Sequence, residues 1–300
     1  MLKANTSKLA LIMICTALLS ACNGSDDDND KDTNAVVDSV VYSDAHHIVL
    51  DGEDNFRDLG GYEGADGKKI VSRKLFRSGE LSKLTDNDRQ VLTDLGIEYD
   101  IDLRTDSEIA NQPDAVPDSI VIHQIALSED TSGGETQTGS TPEDLYQPYY
   151  DALLAGNVDD FMLPAYAVDD FKVNQWTQIF ALIQEGKATL WHCTAGQDRA
   201  GMTAALVLES LGVDRDTIYE DYLKSNEYTY DDKHNTAEYI YQQADSPADS
   251  SVDKITQAEL IKKEYLDAFY SDIALNHGGM ENFLNEIGVD IETMRTLYLN

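Results

Sequence analysis

Short apolar runs alternate along this chain with stretches whose apolar residues recur at helical spacing. Residues 74–77, 97–103, 120–127 and 188–192 are short, partly apolar runs that predict strands, the last of them buried. Residues 86–95, 171–184, 201–211 and 258–270 repeat apolar side chains three and four positions apart and predict helices. Gly186 and Gly212 stand where two of those helices should end. Strands alternating with helices predict an α/β domain, its central sheet mainly parallel and flanked by helices. No internal repeat divides the region from about residue 40 to 300, so one domain accounts for it.

Two segments break the pattern. Residues 24–39 are rich in Asp, Asn and Ser, include Asp26-Asp27-Asp28 and lack any hydrophobic period, which predicts a self-repelling tether. Residues 128–141 are full of Gly, Ser, Thr and acids and predict either a mobile flap or a disordered insertion.

The start of the chain has a different character. Lys3 and Lys8 precede an apolar run over 9–19 that ends in small residues. A spanning helix needs about 20 apolar residues, so a secretory signal is the better reading. Leu19-Ser20-Ala21-Cys22 resembles the bacterial lipobox, whose cysteine is lipidated and becomes the first residue after cleavage. Residues 1–21 are then a lipoprotein signal, 22–39 a tether and 40–300 the folded domain. Asn23 stands where inner-membrane retention typically shows Asp, so the resemblance implies a lipid-anchored envelope protein at the outer membrane.

Charge narrows the function. A formal net charge of -34 and a pI near 4.2 disfavour nucleic acid and anionic membrane surfaces as partners, since both would be repelled. An anionic substrate would need a locally positive pocket. Of the three cysteines, Cys15 leaves with the signal and Cys22 would be acylated, which makes Cys193 the one free thiol.

That thiol sits in the stretch His192-Cys193-Thr194-Ala195-Gly196-Gln197-Asp198-Arg199-Ala200-Gly201, between a predicted strand and a predicted helix. A loop entering a helix N-terminus can aim several N–H groups at one anion, and the same field favours a thiolate over a thiol. Cys193 at its base could attack phosphorus. Arg199 could hold two phosphate oxygens with its planar fork, which Lys cannot do. Thr194, Ala195, Gly196, Gln197, Asp198 and Arg199 are the candidate phosphate-binding residues, with Gly196 allowing the tight turn.

The loop resembles the signature of protein tyrosine phosphatases, specifically the secreted bacterial group of the mycobacterial tyrosine-phosphatase-B type. Asn55-Phe56-Arg57-Asp58-Leu59-Gly60-Gly61-Tyr62, Phe76-Arg77-Ser78-Gly79, Asp102-Leu103-Arg104-Thr105 with Glu108, and Asp221-Tyr222-Leu223 with Ser225-Asn226 follow the order of that group. The resemblance implies a tyrosine-phosphatase-like fold and a cysteinyl-phosphate intermediate that water hydrolyses. Two acids match family positions for protonating the leaving group, Asp102 after a strand and Asp198 inside the loop. Both stay open; the need for reach to the leaving oxygen favours Asp102. His192 is expected to bond neighbouring backbone and point to the other sheet face, while Arg57, Asp58, Arg77 and Arg104 are expected to form a salt-bridged support behind the pocket.

Two departures matter. Gln197 replaces the family's usual Lys, which weakens multiply phosphorylated inositides as substrates. Ala200 replaces a hydroxyl that, by the resemblance, helps sulfur leave. No ligand-spaced metal set and no nucleotide loop is evident, His46-His47 reading as an isolated surface pair, so no metal or cofactor is expected. The expected partner is a phosphorylated protein or small phosphomonoester, met by a chain that touches the membrane only through its lipid. The alternatives are a phosphoinositide or phospholipid phosphatase and a catalytically weak phosphate-binding lipoprotein.

Overall fold

Five short strands make a single sheet in the computed structural model, which describes residues 40–129, 147–244 and 249–300. Strand β1 is Arg57–Asp58, β2 Leu75–Ser78, β3 Tyr99–Asp102, β4 Val121–Gln124 and β5 Thr189–His192. Their order is β1-β2-β5-β3-β4, and every neighbouring pair is parallel except β1 with β2. The predicted mainly parallel sheet is present, and its four predicted strands are found with their ends moved by at most a few residues. The two-residue β1 is too short to leave a period in the sequence.

In chain order the helices are α1 (Asp86–Asp94), α2 (Asp106–Asn111), α3 (Gln147–Ala155), α4 (Asp159–Ala165), α5 (Asp170–Ile183) and α6 (Asp198–Ser210). They continue with α7 (Arg215–Tyr228), α8 (Tyr230–Gln243), α9 (Val252–Glu259), α10 (Lys263–Asn276), α11 (Met280–Glu286) and α12 (Ile291–Tyr298). Alternation along the strands decides what each covers. Leu75, Ile101, Trp191 and, just past β5, Cys193 face a core built with Trp176 and Phe180 of α5, Leu206 of α6, Tyr222 of α7 and Phe269 of α10. Phe76 and Leu190 face the other way, against Val91 and Leu92 of α1. Each fully buried large apolar side chain here contributes about 1.5–3 kcal/mol. A smaller cluster, including Leu153, Ile240 and Ile255, joins α3, α8 and α9.

Register positions the site. Ser78 and Asp102 both pair with His192, so β2, β3 and β5 end level with one another. The segments leaving them therefore meet at one edge of the sheet, the place where parallel α/β sheets bind ligands.

One predicted helix is corrected. Residues 258–270 are not continuous, because α9 ends at Glu259 and α10 begins at Lys263. Asn226 of α7 intervenes from the side: its amide donates to the Ile261 carbonyl at 2.8 Å and its oxygen accepts the Ile261 N–H at 2.9 Å. Those bonds hold the backbone out of the helix even though the apolar spacing runs through. The predicted signal with Cys22, the tether over 24–39 and most of 128–141 lie outside the described residues. Among those that are described, no helix is long and apolar enough to cross a membrane.

Candidate active site

The chain leaves β5 at His192 and enters α6 at Asp198, and its carbonyls in between all have partners. The Glu80 N–H donates to Thr194 O at 2.9 Å, Asn55 Nδ2 to Ala195 O at 2.9 Å, and Arg77 to Gly196 O at 2.7 Å and Gln197 O at 3.3 Å. In a trans peptide the N–H points opposite to the C=O of the same unit. The N–H groups of Ala195, Gly196, Gln197 and Asp198 therefore turn away from these partners and converge where α6 begins, which is how a loop cradles an anion. Gly196 has φ +69°, and a Cβ there would lie 2.5 Å from the Ser78 carbonyl, so only glycine fits. Cys193 is 2% exposed.

Arg199 is oriented by Glu108. Its two terminal nitrogens donate to the two Glu108 oxygens, each at 2.7 Å, and further to Leu103 O at 3.4 Å and Thr194 Oγ at 3.2 Å. Four of the five guanidinium donors are thereby engaged and Nε–H is left. Glu108 is itself fixed by local sequence: Thr105 caps α2, and Glu108 completes the capping box by accepting the Thr105 N–H at 2.8 Å. Burial pushes the Glu108 carboxyl up, but the bonds and charge of Arg199 outweigh it and bring it down to about 2.

Behind the loop lie two wholly buried arginines. Arg57 Nε is 3.2 Å from one Asp221 oxygen and Arg77 is 2.7 Å from the other. Arg57 also donates to Asn55 Oδ1 and, at 3.2 Å, to Ser225. Burial opposes the charge of Asp221, but Arg57 and Arg77 hold its carboxyl below the usual range. Arg57, Arg77 and Arg199 are gathered here with Asp221, Glu108 and Asp198, so the cations of this side of the sheet are concentrated at the loop of a strongly acidic chain. The support expected among Arg57, Asp58, Arg77 and Arg104 is corrected in two respects: the shared carboxylate is Asp221, and Arg104 lies on the other face with Asp102 and Asp114. Asp58 instead accepts the Gly60 N–H at 2.8 Å and the Arg73 N–H at 2.9 Å.

The opposite face is acidic. His192 points there, as strand alternation requires, with Nδ1 3.2 Å from the Cys193 carbonyl and Nε2 3.4 Å from Asp100 and 3.3 Å from Asp114. Asp102 shares that face. Its oxygens accept from Arg104 Nε at 2.9 Å and a terminal nitrogen at 2.8 Å, and Arg104 also reaches Asp114 at 2.9 Å. Burial pulls the His192 imidazole down, but Asp100 above all, then Asp114 and Asp102, raise it to about 10. Burial above all, with the Asp114 and Asp102 charges beside it, lifts the Asp100 carboxyl to about 7, against the pull of His192 and Arg104.

Asp198 stays on the Cys193 side, in the first turn of α6 and half-buried. Tyr166 donates its hydroxyl to it and lies 2.5 Å from the Tyr222 hydroxyl. Gln197 is 2% exposed and turns to Thr229 at 3.1 Å, while Ala200 is wholly buried and offers no hydroxyl.

A sequence profile described as the tyrosine phosphatase family matches residues 48–300. The chain belongs to that family. It is 31% identical over 259 residues to a Cupriavidus necator protein named a tyrosine-protein phosphatase, covering 85% of this chain and 89% of that one. It is also 31% identical over 271 residues to the triple specificity protein phosphatase PtpB of Mycobacterium tuberculosis, covering 83% of this chain and 96% of that one. Among solved structures, P. aeruginosa TpbA matches at 16% identity and a TM-score of 0.31, over 64% of this chain and 89% of TpbA, too distant a likeness to add to the fold.

Of the residues singled out in this tyrosine phosphatase, the structure gathers Cys193, Thr194 to Arg199, Arg57 and Arg77 at one place. Asp102, Arg104 and His192 lie on the reverse of the sheet, and Asp58 ends β1 with its carboxylate turned to the Gly60 and Arg73 N–H groups. Sequence reasoning gave no role to Asp221, Asn55, Tyr166 or Asp114. Glu108 was within reach of it, because a Thr-x-x-Glu capping box directly after a strand fixes where that carboxylate points.

Proposed function

We propose that this phosphatase hydrolyses phosphotyrosine through a cysteinyl-phosphate intermediate, with Asp198 as the acid. The observation carrying this reading is the loop whose carbonyls are all bonded outward around Cys193, with Arg199 already oriented by Glu108. The Cys193 thiolate attacks phosphorus, forming S–P as the P–O bond to the tyrosyl oxygen breaks. Loop N–H groups and Arg199, through Nε–H and the donor now on Thr194, stabilise the charge on the transferring group. Asp198 gives its proton to the leaving oxygen. In the second step Asp198 takes a proton from water, whose oxygen bonds phosphorus as S–P breaks and the thiolate leaves. Asp198 is favoured over Asp102 because Asp102 lies on the face away from Cys193 with both oxygens held by Arg104.

Phosphotyrosine is favoured over phosphoinositides because Gln197 is buried against Thr229, leaving no loop cation at that position for a second phosphate. The name of the mycobacterial relative keeps wider specificity in view. The test is turnover of a phosphotyrosine peptide, a phosphoserine peptide and a phosphoinositide by the parent chain and by Cys193→Ser. Fastest turnover of phosphotyrosine, abolished by the substitution, supports the reading; activity that survives Cys193→Ser overturns it. The lipobox-like Leu19-Ser20-Ala21-Cys22 supports a place for this activity at the cell envelope, with Cys22 as lipid carrier. Fatty-acid labelling that persists in Cys22→Ser would contradict that.

A further inference from the structure

We propose that Asp100, Asp114 and His192 form a binding site for one divalent first-row transition ion, Zn²⁺ being the type case, on the sheet face opposite Cys193. The three come from different elements: Asp100 from the middle of β3, His192 from the end of β5, and Asp114 from the segment between α2 and β4. Their ligand atoms all lie within 4.8 Å of one another.

Spacing is the first reason. His192 Nε2 is 3.4 Å from Asp100 Oδ1 and 3.3 Å from Asp114 Oδ2. A charged hydrogen bond would close to about 2.7–2.9 Å. Ligands bonded at about 2.0–2.1 Å to a tetrahedral ion stand about 3.3–3.4 Å apart, the separation seen here. The second reason is polar satisfaction. Both Asp100 oxygens and His192 Nε2 are buried without a hydrogen-bond partner, and such groups are costly unless something binds them. The third is the tautomer. When Nδ1–H donates to the Cys193 carbonyl, 3.2 Å away, the Nε2 lone pair faces the two carboxylates, as in metal-bound histidines whose other N–H is tied to a carbonyl.

Charge agrees in sign. Asp100, Asp102, Asp114 and Glu80 crowd around Arg104 and His192, so an ion that displaces the His192 proton adds positive charge where carboxylates predominate. Asp102 approaches His192 Nε2 to 3.7 Å, but Arg104 holds both its oxygens, so it is not counted as a ligand. Arg104 also takes Asp114 Oδ1 and leaves Oδ2 for the ion. Water would complete the fourth position, entering beside Asp114, whose chain neighbours are partly exposed. One imidazole and two carboxylates suit a transition ion, and are too few for Ca²⁺. Such an ion would pin the segment before β4 to β3 and β5 and fix His192 behind the nucleophile's carbonyl.

The test uses the full chain carrying Cys193→Ser, which removes a competing thiolate. It is stripped with chelator, titrated with ZnCl₂, and followed by melting temperature and by zinc retained after gel filtration. The expected result is one retained equivalent with a rise in melting temperature, and at least a tenfold loss of affinity in both Asp100→Asn and Asp114→Asn. Should Asp100→Asn fail to fold without zinc, having lost the carboxylate nearest the buried His192, Asp114→Asn, in the more open segment, carries the comparison. X-ray absorption should show only nitrogen and oxygen at about 2.0–2.2 Å and no sulfur at about 2.3 Å. No retained zinc, undiminished retention in the variants, or sulfur neighbours would overturn the proposal.

Discussion

The two faces of the sheet meet at β5, and consecutive residues, His192 and Cys193, belong to opposite ones. On the Cys193 face Arg57, Arg77 and Arg199 are each tied to a carboxylate behind or beside the loop, and every loop carbonyl has a partner. On the His192 face Asp100, Asp102, Asp114 and Glu80 crowd around Arg104 and His192, and the Asp100 carboxylate and His192 Nε2 are left without hydrogen bonds. One residue of strand alternation separates a preorganised phosphate cradle from a cluster crowded with carboxylates. Proximity in sequence to the nucleophile is thus a poor guide to participation. Asp198 and Asp102 illustrate it: both match family positions for an acid, but they sit on different sides of the sheet.

Substitutions on the two faces should therefore fail in different ways. The largest effect is expected for Asp198→Asn, which should lower kcat toward phosphotyrosine by about 10²–10⁴-fold, the range of a lost general acid, with little change in melting temperature. Steady-state kinetics with leaving groups of graded acidity checks this, since the deficit should shrink as the leaving group becomes more acidic. Asp102→Ala should do the reverse. Leaving Arg104 short of a buried partner should cost about 3–5 kcal/mol in denaturant unfolding, while kcat of the folded enzyme stays close to that of the parent. If Asp102→Ala removed activity without destabilising the fold, the division between the faces would be wrong.

A smaller effect is expected where the loop touches β2. Gly196→Ala forces a side chain onto a backbone at φ +69° and against the Ser78 carbonyl, and should destabilise by about 2–3 kcal/mol while raising KM. Thermal melts and inorganic phosphate affinity would separate the two effects. The smallest concerns Glu53, whose Oε1 accepts the N–H groups of Gly79 at 2.7 Å and Asn55 at 2.9 Å. Burial raises its carboxyl to about 7 from 4.5. Between those values the native state holds a proton that the unfolded chain has released, so its contribution is full below pH 4.5 and is lost as pH rises through about 7. Glu53→Gln should flatten that decline, as urea unfolding across this window would show.

The loop was legible in sequence because everything that defines it is contiguous: spacing, glycine and the change of period from strand to helix lie within ten residues. Strand positions were legible for the same reason. What stayed hidden depends on pairing across long separations. Arg57 and Asp221 meet across 164 positions, and nothing local marks Asp221 as the carboxylate shared by two arginines. Asp102 could be assigned to a face only once β3 was known to pair in register with β5, Asp102 opposite His192. The break between α9 and α10 comes from Asn226, which no apolar spacing near residue 260 reveals.

The most direct test of the central claim is rapid quenching of the parent enzyme with a phosphotyrosine peptide, followed by mass analysis of the peptide containing residue 193. The account predicts a burst of dephosphorylated peptide of up to one per active site, with phosphate attached to Cys193 and its decay limiting turnover, as expected with Ala200 offering no hydroxyl. Turnover with no phosphate ever found on Cys193, or phosphate found on another residue, would contradict it.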